Sequence, residues 1–310
     1  MSSTLLRLGT RGSALAMTQA RHMAALLDGL GVASEIVVIK TQGDKDQVRP
    51  FAEVGAPGLF VRELEGALQD GRVDVAVHCY KDLPSDSPDD LVVVAMPERE
   101  DPRDRLLISA KRFDPAAGLL PVAHGARVGT ASARRVALLK HLRPDLEAVH
   151  LRGNVPTRVG KLKTGDYDAV LLASAGLERL ARAAGLGECD PLDMEGVRAV
   201  DLDPTAFVPA PSQGALALQA RRDDAATAAV LERLDQSGDH ASVRVERDLL
   251  ARVEAGCQVP FGAYCIAGAS GFELHAVLEH AGEMRRSLRS GDDGAALAAA
   301  ALTDLLPERG

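Results

Sequence analysis

A cysteine in a charged, glycine-containing segment is the residue of this chain best suited to do chemistry. Cys257 lies within residues 254–262, which read EAGCQVPFG and directly follow a stretch with the spacing of an amphipathic helix. A helix that ends at a glycine presents the next side chain on a loop, where binding and catalytic residues concentrate. A thiol placed there would attack a soft carbon electrophile. The alternative is an inert structural thiol, because free cysteine packs as a small hydrophobic residue.

A Lys-Asp pair follows a predicted buried strand. Residues 78–84 read HCYKDLP and come directly after an apolar run at 73–77. Open α/β sheets bind ligands at the carboxyl ends of their strands. Asp82 would therefore stabilise a cation or transfer a proton, and Lys81 would neutralise an anionic group. The alternative is a turn with a surface ion pair. We interpret His78 as a core or turn histidine, since the sequence places no further metal-binding side chains near it.

Several arginines occupy places that a helix disfavours. A cation in the first helical turn opposes the helix dipole, by roughly 0.3–1 kcal/mol at exposed sites. These arginines are Arg11 beside Ser13, Arg134 and Arg135 after Ser132, Arg152 at a strand end, and Arg158 after Pro156. A bound anion would accept hydrogen bonds from the helix N–H groups and the guanidinium groups together. Without a P-loop or GxGxxG motif, a carboxylate-rich polyanion is favoured over a nucleotide. The alternative for each single arginine is a solvated surface charge.

The elements that must position these residues alternate between strand and helix up to about residue 184. This pattern predicts an α/β fold, in which helices cover both faces of the sheets. The predicted strands are 5–10, 35–40, 73–77, 91–95, 106–109, 127–130, 148–151 and 169–173, and the predicted helices are 13–27, 59–68, 132–142, 156–163 and 174–184. Residues 187–208 are predicted to be irregular. The later pattern predicts a smaller α+β domain, with helices at 223–234, 241–254 and 295–306 and strands at 264–269 and 272–278.

Two proline-containing segments, 97–102 and 209–214, are predicted crossings between domains and candidate hinges. A Gly-Thr pair ends a strand and a serine starts a helix at both 9–13 and 129–132. Two similar domains would aim both helix N-termini into one cleft. The alternative is that glycine, threonine and serine are simply common in strand-to-helix turns.

Composition limits the class of protein. The chain has 310 residues, 46% of them hydrophobic, which is enough for two or three domains. Its net charge of −8 disfavours a general nucleic-acid-binding surface. The sequence has no secretory signal pattern and no run of about 18 apolar residues, so we expect a cytoplasmic protein without a membrane partner. Its four cysteines are then expected to be reduced, and without a Cys-x-x-Cys pair we expect no metal site.

Taken together, these motifs resemble those of the porphobilinogen deaminases along nearly the whole chain. The matching segments are 11–16 (RGSALA), 58–65 (GLFVRELE), 81–84 (KDLP), 129–135 (GTASARR), 151–158 (LRGNVPTR), 175–180 (AGLERL), 213–216 (QGAL) and 256–260 (GCQVP). The resemblance implies two periplasmic-binding-protein-like domains flanking a cleft, plus a smaller C-terminal α+β domain. The implied domain boundaries are 1–99 with 209–232, then 100–208, then 233–310, the last carrying the cofactor cysteine.

The resemblance also implies an activity. Porphobilinogen deaminases are transferases of tetrapyrrole and haem biosynthesis. They deaminate porphobilinogen, join four units head to tail on a covalently bound dipyrromethane, and release hydroxymethylbilane by hydrolysis. The implied attachment is a thioether on Cys257. Asp82 is implied to stabilise the cationic pyrrole nitrogen and to assist proton transfer, with Lys81 as the second catalytic residue. A monomer without metal or nucleic acid is expected.

Further site residues are implied by the same resemblance. The implied cofactor-binding residues are Cys257, Lys81, Asp82, Thr130, Ser132, Arg134 and Arg135, and the implied substrate-binding residues are Arg11, Ser13, Gln19, Phe60, Arg152, Gly153, Arg158, Arg179 and Gln213. The chain also departs from the family pattern. Cys79 and Tyr80 replace a usual Ser-Met, Pro57 stands where lysine is frequent, and Gln219 stands where glutamate is common.

The main alternative is a non-catalytic two-domain binding protein for a small polyanion, or the effector domain of a regulator, since a fold does not determine a function. Such proteins are expected to show a signal peptide or a DNA-binding segment, and we recognise neither pattern in the sequence. A scaffold that has lost its activity is a third hypothesis. It predicts that replacing Asp82 leaves turnover unchanged.

Overall fold

The computed structural model of the protein describes residues 5–40, 61–253, 259–269 and 271–307, and its elements are numbered in chain order. The strands are β1 (Leu6–Thr10), β2 (Ser34–Val38), β3 (Val75–Cys79), β4 (Leu91–Ala95), β5 (Asp104–Ser109), β6 (Arg127–Gly129), β7 (Glu147–Val149), β8 (Ala169–Ala173), β9 (Val197–Asp201), β10 (Leu216–Arg221), β11 (Phe261–Gly268), β12 (Gly271–His280) and β13 (Glu283–Gly291). The helices are α1 (Ala14–Gly29), α2 (Arg62–Gln69), α3 (Ala133–Leu142), α4 (Val155–Lys163), α5 (Ser174–Gly185), α6 (Ala225–Leu231), α7 (Ser237–Val253) and α8 (Gly294–Leu305). None of these described helices has the length and apolar character needed to cross a membrane.

The first of two compact units consists of Met1–Arg99, Arg182–Cys189 and Ala215–His240. Its five-stranded sheet has the order β2-β1-β3-β10-β4. Strand β1 is parallel to β2 and β3, whereas β10 is antiparallel to β3 and β4. Alternate residues of β3 face different cores: Val75 packs with residues of α1, and Ala76 packs with residues of α2. The predicted helices on both faces are therefore confirmed for this sheet.

The second unit consists of Glu100–Ala181, Asp190–Gly214 and Ala241–Gly310. Its larger sheet has the order β7-β6-β8-β5-β9, with β6 parallel to β7 and β8, and β5 antiparallel to β8 and β9. The pattern of pairings is the same as in the first unit. Leu106 of β5 packs with residues of α3 and Leu107 packs with residues of α4, so this sheet is also covered on both faces.

A smaller antiparallel sheet, β11-β12-β13, completes the second unit. One face packs against α7 and α8 through a core that includes Leu249, Leu274 and Leu297. Val277 of β12 joins the core of the larger sheet instead. This shared core explains why the C-terminal sheet belongs to the second compact unit.

The α/β class and the smaller C-terminal α+β part are confirmed by these three sheets. The division into three domains, with the boundaries implied by the resemblance, stays a prediction. Three strands contradict the sequence expectation or were not expected. Strand β10 is a buried interior strand that lies where no element was predicted. Strand β9 lies in the stretch predicted to be irregular, and β13 lies where no element was predicted. Both are edge strands with few buried residues, so they lack the apolar pattern that identifies a strand.

The backbone is tightly packed where the chain leaves the second unit. The chain passes from the first unit to the second between Arg99 and Glu100 and returns between Gly214 and Ala215. Glu100 N donates to Gly214 O at 3.3 Å, and a Cβ on Gly214 would lie only 2.2 Å from Glu100 O. Gly214 also has a φ of +91°. Only glycine satisfies both conditions without strain. A hinge role for these crossings stays a prediction.

We predict that Gly214→Ala lowers the free energy of unfolding by about 2–5 kcal/mol, because it adds backbone strain and a steric clash. The matched control is Gly160→Ala in α4, where a Cβ would meet nothing within 4 Å. That change is expected to raise stability by about 0.5–1 kcal/mol. Urea unfolding followed by circular dichroism measures both, and equal midpoints for the two variants would contradict the prediction.

Candidate active site

In the first unit, two groups of predicted site residues follow neighbouring strands. β1 leads to Arg11 and Ser13, and β3 leads to Lys81 and Asp82. Because β1 and β3 are paired in parallel, their carboxyl ends lie at the same edge of the sheet. Lys81 and Asp82 belong to a 3₁₀ helix, in which Lys81 is half-buried and Asp82 is exposed. The first unit therefore brings these four residues to one edge.

Helix α1 carries two further contacts at this edge. Ser13 caps the helix as predicted, since its Oγ accepts a hydrogen bond from Ala16 N at 3.3 Å. Gln19 is buried, and its Nε2 donates to Cys79 Sγ at 3.1 Å. This contact ties α1 to the last residue of β3, two positions before Lys81. Cys79 Sγ also donates to Gln19 Oε1 at 3.5 Å, so the thiol both accepts and donates at the position where the resembled family usually has serine.

A buried chain of hydrogen bonds begins at His78 in β3. His78 Nε2 lies 3.0 Å from Gln219 Oε1, and Gln219 Nε2 donates to Glu65 Oε1 at 3.1 Å. All three side chains are buried. Burial lowers the pKa of His78 to about 4, although its hydrogen bond to Gln219 opposes the shift. The imidazole is therefore neutral at pH 7, as expected for a core histidine. The amide of Gln219 thus connects His78 to Glu65 without adding a charge, whereas the family usually has a glutamate at this position.

In the second unit, predicted site residues again follow two parallel neighbours. β6 leads to Thr130 and Ser132, and β7 leads to Arg152 and Gly153, so both groups lie at the carboxyl edge of the sheet. Ser132 N donates to Thr130 Oγ1 at 3.2 Å, and Ser132 Oγ caps α3. The similarity predicted between residues 9–13 and 129–132 is confirmed for the local backbone, because each serine caps the helix that follows its strand.

The two arginines that begin α3 are buried, so the surface-charge interpretation is wrong for them. Both bind Asp104, a fully buried residue at the start of β5. Arg134 Nη1 lies 2.7 Å from Asp104 Oδ2, and Arg135 Nη2 lies 2.7 Å from Asp104 Oδ1. Burial by itself would raise the pKa of Asp104, but attraction to the two guanidinium groups outweighs it and holds the pKa far below its ordinary value. Asp104 therefore remains ionised.

Asp104 is not singled out by the sequence. An aspartate two positions before the apolar run 106–109 is also the ordinary pattern of a strand that starts at the surface. Its importance follows from complete burial and from its two cationic partners. One carboxylate shared by Arg134 and Arg135 leaves this group of three side chains with a net positive charge. We call these three residues the Asp104 cluster.

Arg158 adds a cation near this cluster. Its Nε donates to Gly153 O at 2.7 Å, next to the Asn154 side chain that caps α4. Burial lowers the pKa of Arg158, and the positive charge of Arg135 lowers it further. The two guanidinium groups therefore repel each other. A ligand carboxylate placed between them would relieve that repulsion.

Gln213 and Arg179 are occupied by protein groups. Gln213 Nε2 donates to Asp104 Oδ1 at 3.0 Å and to Pro102 O at 2.8 Å. Arg179 is buried, its Nη2 donates to Gly214 O at 2.6 Å, and its Nε lies 3.5 Å from Glu100 Oε1. Both side chains thus hold the segment 209–214 in place within the second unit. Their role in substrate binding stays a prediction.

The two units divide the predicted site. The first contains Arg11, Ser13, Gln19, Lys81 and Asp82, and the second contains Thr130, Ser132, Arg134, Arg135, Arg152, Gly153, Arg158, Arg179 and Gln213. Cys257 and Phe60, with the departure at Pro57, lie outside the described residues. In the part of the chain that the structure describes, no three histidine, cysteine, aspartate or glutamate side chains are grouped so as to hold a metal ion.

Comparison with known proteins identifies relatives over most of the chain. Residues 6–229 match the family model described as "Porphobilinogen deaminase, dipyromethane cofactor binding domain", and residues 240–295 match "Porphobilinogen deaminase, C-terminal domain". A porphobilinogen deaminase of Nitratidesulfovibrio vulgaris strain Miyazaki F is 42% identical over 296 residues, covering 93% of this chain and 88% of that protein. One from Roseiflexus castenholzii is 40% identical over 312 residues, covering 98% and 97%. Among solved structures, an arginine-specific periplasmic binding protein of Salmonella typhimurium aligns at 12% identity, covering 77% of this chain and 97% of that one, with a TM-score of 0.41.

We predict that Asp104→Asn lowers the free energy of unfolding by about 3–5 kcal/mol, because two buried guanidinium groups lose their counter-charge. The control is Asp70→Asn, which removes an exposed carboxylate paired with Arg72. That variant is expected to change stability by less than about 1 kcal/mol. Urea unfolding at neutral pH measures both variants. A change in Asp104→Asn as small as in the control would show that the carboxylate does not hold the cluster.

We predict a pH effect from His78. Its folded pKa of about 4 lies below the ordinary 6.5, so the unfolded chain takes up the proton first. The stabilisation is full above about pH 6.5 and is lost as the pH falls towards 4, on the order of 3 kcal/mol in all. Gln219→Glu places a carboxylate beside His78 and Glu65, so the folded protein then binds a proton in this range and loses less stability. Urea unfolding from about pH 7 to about pH 5 compares the two slopes. Identical slopes would refute the assignment.

Proposed function

The chain belongs to the porphobilinogen deaminase family, and from that premise we propose how its own residues carry out the family's reaction. The protein is a transferase that deaminates porphobilinogen and joins four units head to tail on a dipyrromethane primer, before hydrolysis releases hydroxymethylbilane. We assign roles to the residues mainly from one observation: in the second unit, several arginines lie around the buried carboxylate of Asp104.

The residues of the second unit fit ligands that carry several carboxylates. Porphobilinogen has an acetate and a propionate side chain, and each pyrrole ring of the primer has the same pair. The Asp104 cluster has a net positive charge, and Arg158 repels Arg135 until an anion lies near both. We therefore assign carboxylate binding to Arg152 and Arg158, with Arg11 in the same role in the first unit. N–H groups at the start of α3, beside Thr130 and Ser132, add donors without adding charge.

Arg134 and Arg135 are assigned mainly to holding Asp104, since both are buried and bound to it. Arg134 also donates to Val208 O, and Arg135 also donates to Leu171 O. Both still contribute positive charge to the site. Gln213 and Arg179 would act in the same indirect way, through the segment 209–214. This differs from the expectation that each of these side chains contacts ligand directly.

Asp82 is assigned to the chemical step. Loss of ammonia from the aminomethyl group of porphobilinogen leaves a positive charge that is shared with the pyrrole nitrogen. A carboxylate beside that nitrogen stabilises the charge and accepts or returns its proton. Asp82 is exposed at the sheet edge, which leaves its carboxylate accessible to such a ligand. Lys81 would hold a carboxylate of the bound pyrroles.

Cys257 is assigned to thioether attachment of the dipyrromethane. When bound, that group supplies the pyrrole carbon at which the chain of rings grows. A covalent link suits a reaction in which the product must stay attached through several condensations. In the sequence, Cys257 stands between α7, which ends at Val253, and β11, which begins at Phe261.

A cytoplasmic monomer that binds no nucleic acid completes the proposal. The net charge of −8 supports the absence of a nucleic-acid partner.

Intact mass spectrometry tests the attachment site. In protein purified from cells that make porphobilinogen, we expect a mass excess of two linked pyrrole units. Cys257→Ala should lack this excess, while the control Cys189→Ala, at another thiol, should retain it. An unmodified parent protein, or an excess that survives in Cys257→Ala, would contradict the assignment.

The same samples test the catalytic carboxylate. Asp82→Asn is expected to keep the mass excess but to lose turnover by about 10²–10⁴-fold, because it can no longer stabilise the cation or move its proton. Asp86→Asn removes an exposed carboxylate four positions away and is expected to turn over like the parent. Equal turnover in Asp82→Asn and the parent would exclude a catalytic role.

A further inference from the structure

Glu246 is a buried acidic residue whose position is unusual. It lies on α7, the helix that leads to the segment with Cys257, and its side chain is completely buried. A carboxylate in the interior loses its hydration, so it persists only where donors replace that water. The donors that bind Glu246 therefore indicate the role of this carboxylate.

Both carboxylate oxygens of Glu246 accept backbone N–H groups. Oε1 accepts from Cys265 N at 2.8 Å, and Oε2 accepts from Ser212 N at 2.7 Å. Cys265 belongs to β11, the strand that follows the segment with Cys257. The two elements on either side of that segment are thus joined to each other through Glu246. Hydrogen bonds to a charged acceptor are about twice as strong as neutral ones.

The second partner, Ser212, has a backbone that needs support. Its φ is +62°, in the left-handed region that side chains other than glycine disfavour. The residue is completely buried, and its Oγ has no hydrogen-bond partner among the described residues. The hydroxyl therefore does not explain the conformation. The bond from Ser212 N to Glu246 does stabilise it, and strain held in this way is frequent at functional sites.

The residue after Ser212 connects this contact to the cationic cluster. Gln213 Nε2 donates to Asp104 Oδ1, and Asp104 holds Arg134 and Arg135. Strand β11 also packs directly on the same segment, since Ala263 N donates to Pro209 O at 3.1 Å. Within the second unit, hydrogen bonds together with the peptide bond between Ser212 and Gln213 therefore connect α7 and β11 to the arginines of α3.

We propose that Glu246 is a positioning residue for the reaction. It fixes α7, β11 and the segment 209–214 relative to one another, and through Gln213 it keeps the Asp104 cluster in the position from which its positive charge attracts the carboxylates of the primer. The inference rests on the proposed function, in which Cys257 carries the primer and the arginines bind its carboxylates. Glu246 touches neither substrate nor primer in this proposal and acts through the backbone.

Glu246→Gln tests the proposal, because an amide keeps the shape but turns an N–H group towards one of the two backbone donors. Asp248→Asn is the matched control: it lies on the same helix, removes the same charge and breaks only a partly exposed pair with Arg252. In protein whose mass shows the attached primer, Glu246→Gln is expected to lower kcat about 10–100-fold, as displacement of reacting groups by about 1 Å does. The KM for porphobilinogen should change little, and the control should match the parent.

A second variant covers the case in which Glu246→Gln does not fold. Glu246→Asp keeps the charge with a shorter reach, and it is expected to recover part of the stability but not the full kcat. Melting temperatures are measured alongside, with turnover assayed well below them. A folded variant that fails to acquire the primer also supports the proposal.

A merely structural role would lower the melting temperature and leave kcat per primer-carrying molecule at the parent value. That result, in either Glu246 variant, would overturn the proposal. Failure of the proposed function is a separate result, because it would already be seen in the parent protein as absence of the mass excess and of turnover.

Discussion

One carboxylate without access to water determines the arrangement of the second unit. Asp104 is completely buried, so its charge requires cations within the protein, and Arg134 and Arg135 supply them. This requirement holds the first turn of α3 against the start of β5. Gln213 also donates to Asp104, so the segment 209–214 is held by the same carboxylate. The net positive charge that remains is the property on which binding of a carboxylate-rich ligand depends.

The cluster also changes the explanation for arginines at a helix N-terminus. Their unfavourable interaction with the helix dipole, roughly 0.3–1 kcal/mol at exposed sites, requires a compensating anion. A bound ligand is one such anion. For Arg134 and Arg135, the protein itself already provides one in Asp104. Arg158 differs, because it donates to the carbonyl oxygen of Gly153 and is repelled by Arg135, so a ligand carboxylate is the better counter-charge there.

The two units have the same sheet topology but differ in the charge of the polar groups that they bury. In both, a serine caps the helix that follows a central strand, and the proposed site residues lie at the carboxyl edge. Behind the edge, the first unit keeps a neutral histidine that is bridged by Gln219 to Glu65. The second keeps an ionised cluster. The exposed carboxylate of Asp82 thus belongs to the unit with the neutral histidine, while the concentration of cations belongs to the other.

The sequence by itself determined what depends on neighbours along the chain. The caps at Ser13 and Ser132 and the strands at 91–95 and 169–173 were predictable, because capping and apolar periodicity act over a few residues. The edge strands β9 and β13 were not, since half-exposed strands carry little apolar pattern. Only the tertiary structure decided the roles of Asp104 and Glu246. Arg134 and Arg135 lie 30 or more residues along the chain from Asp104, and Ser212 lies as far from Glu246. In addition, a carboxylate becomes buried only when the sheets pack. The physical reason is that a buried charge acts through whatever donors the fold brings to it, and no local pattern specifies those donors.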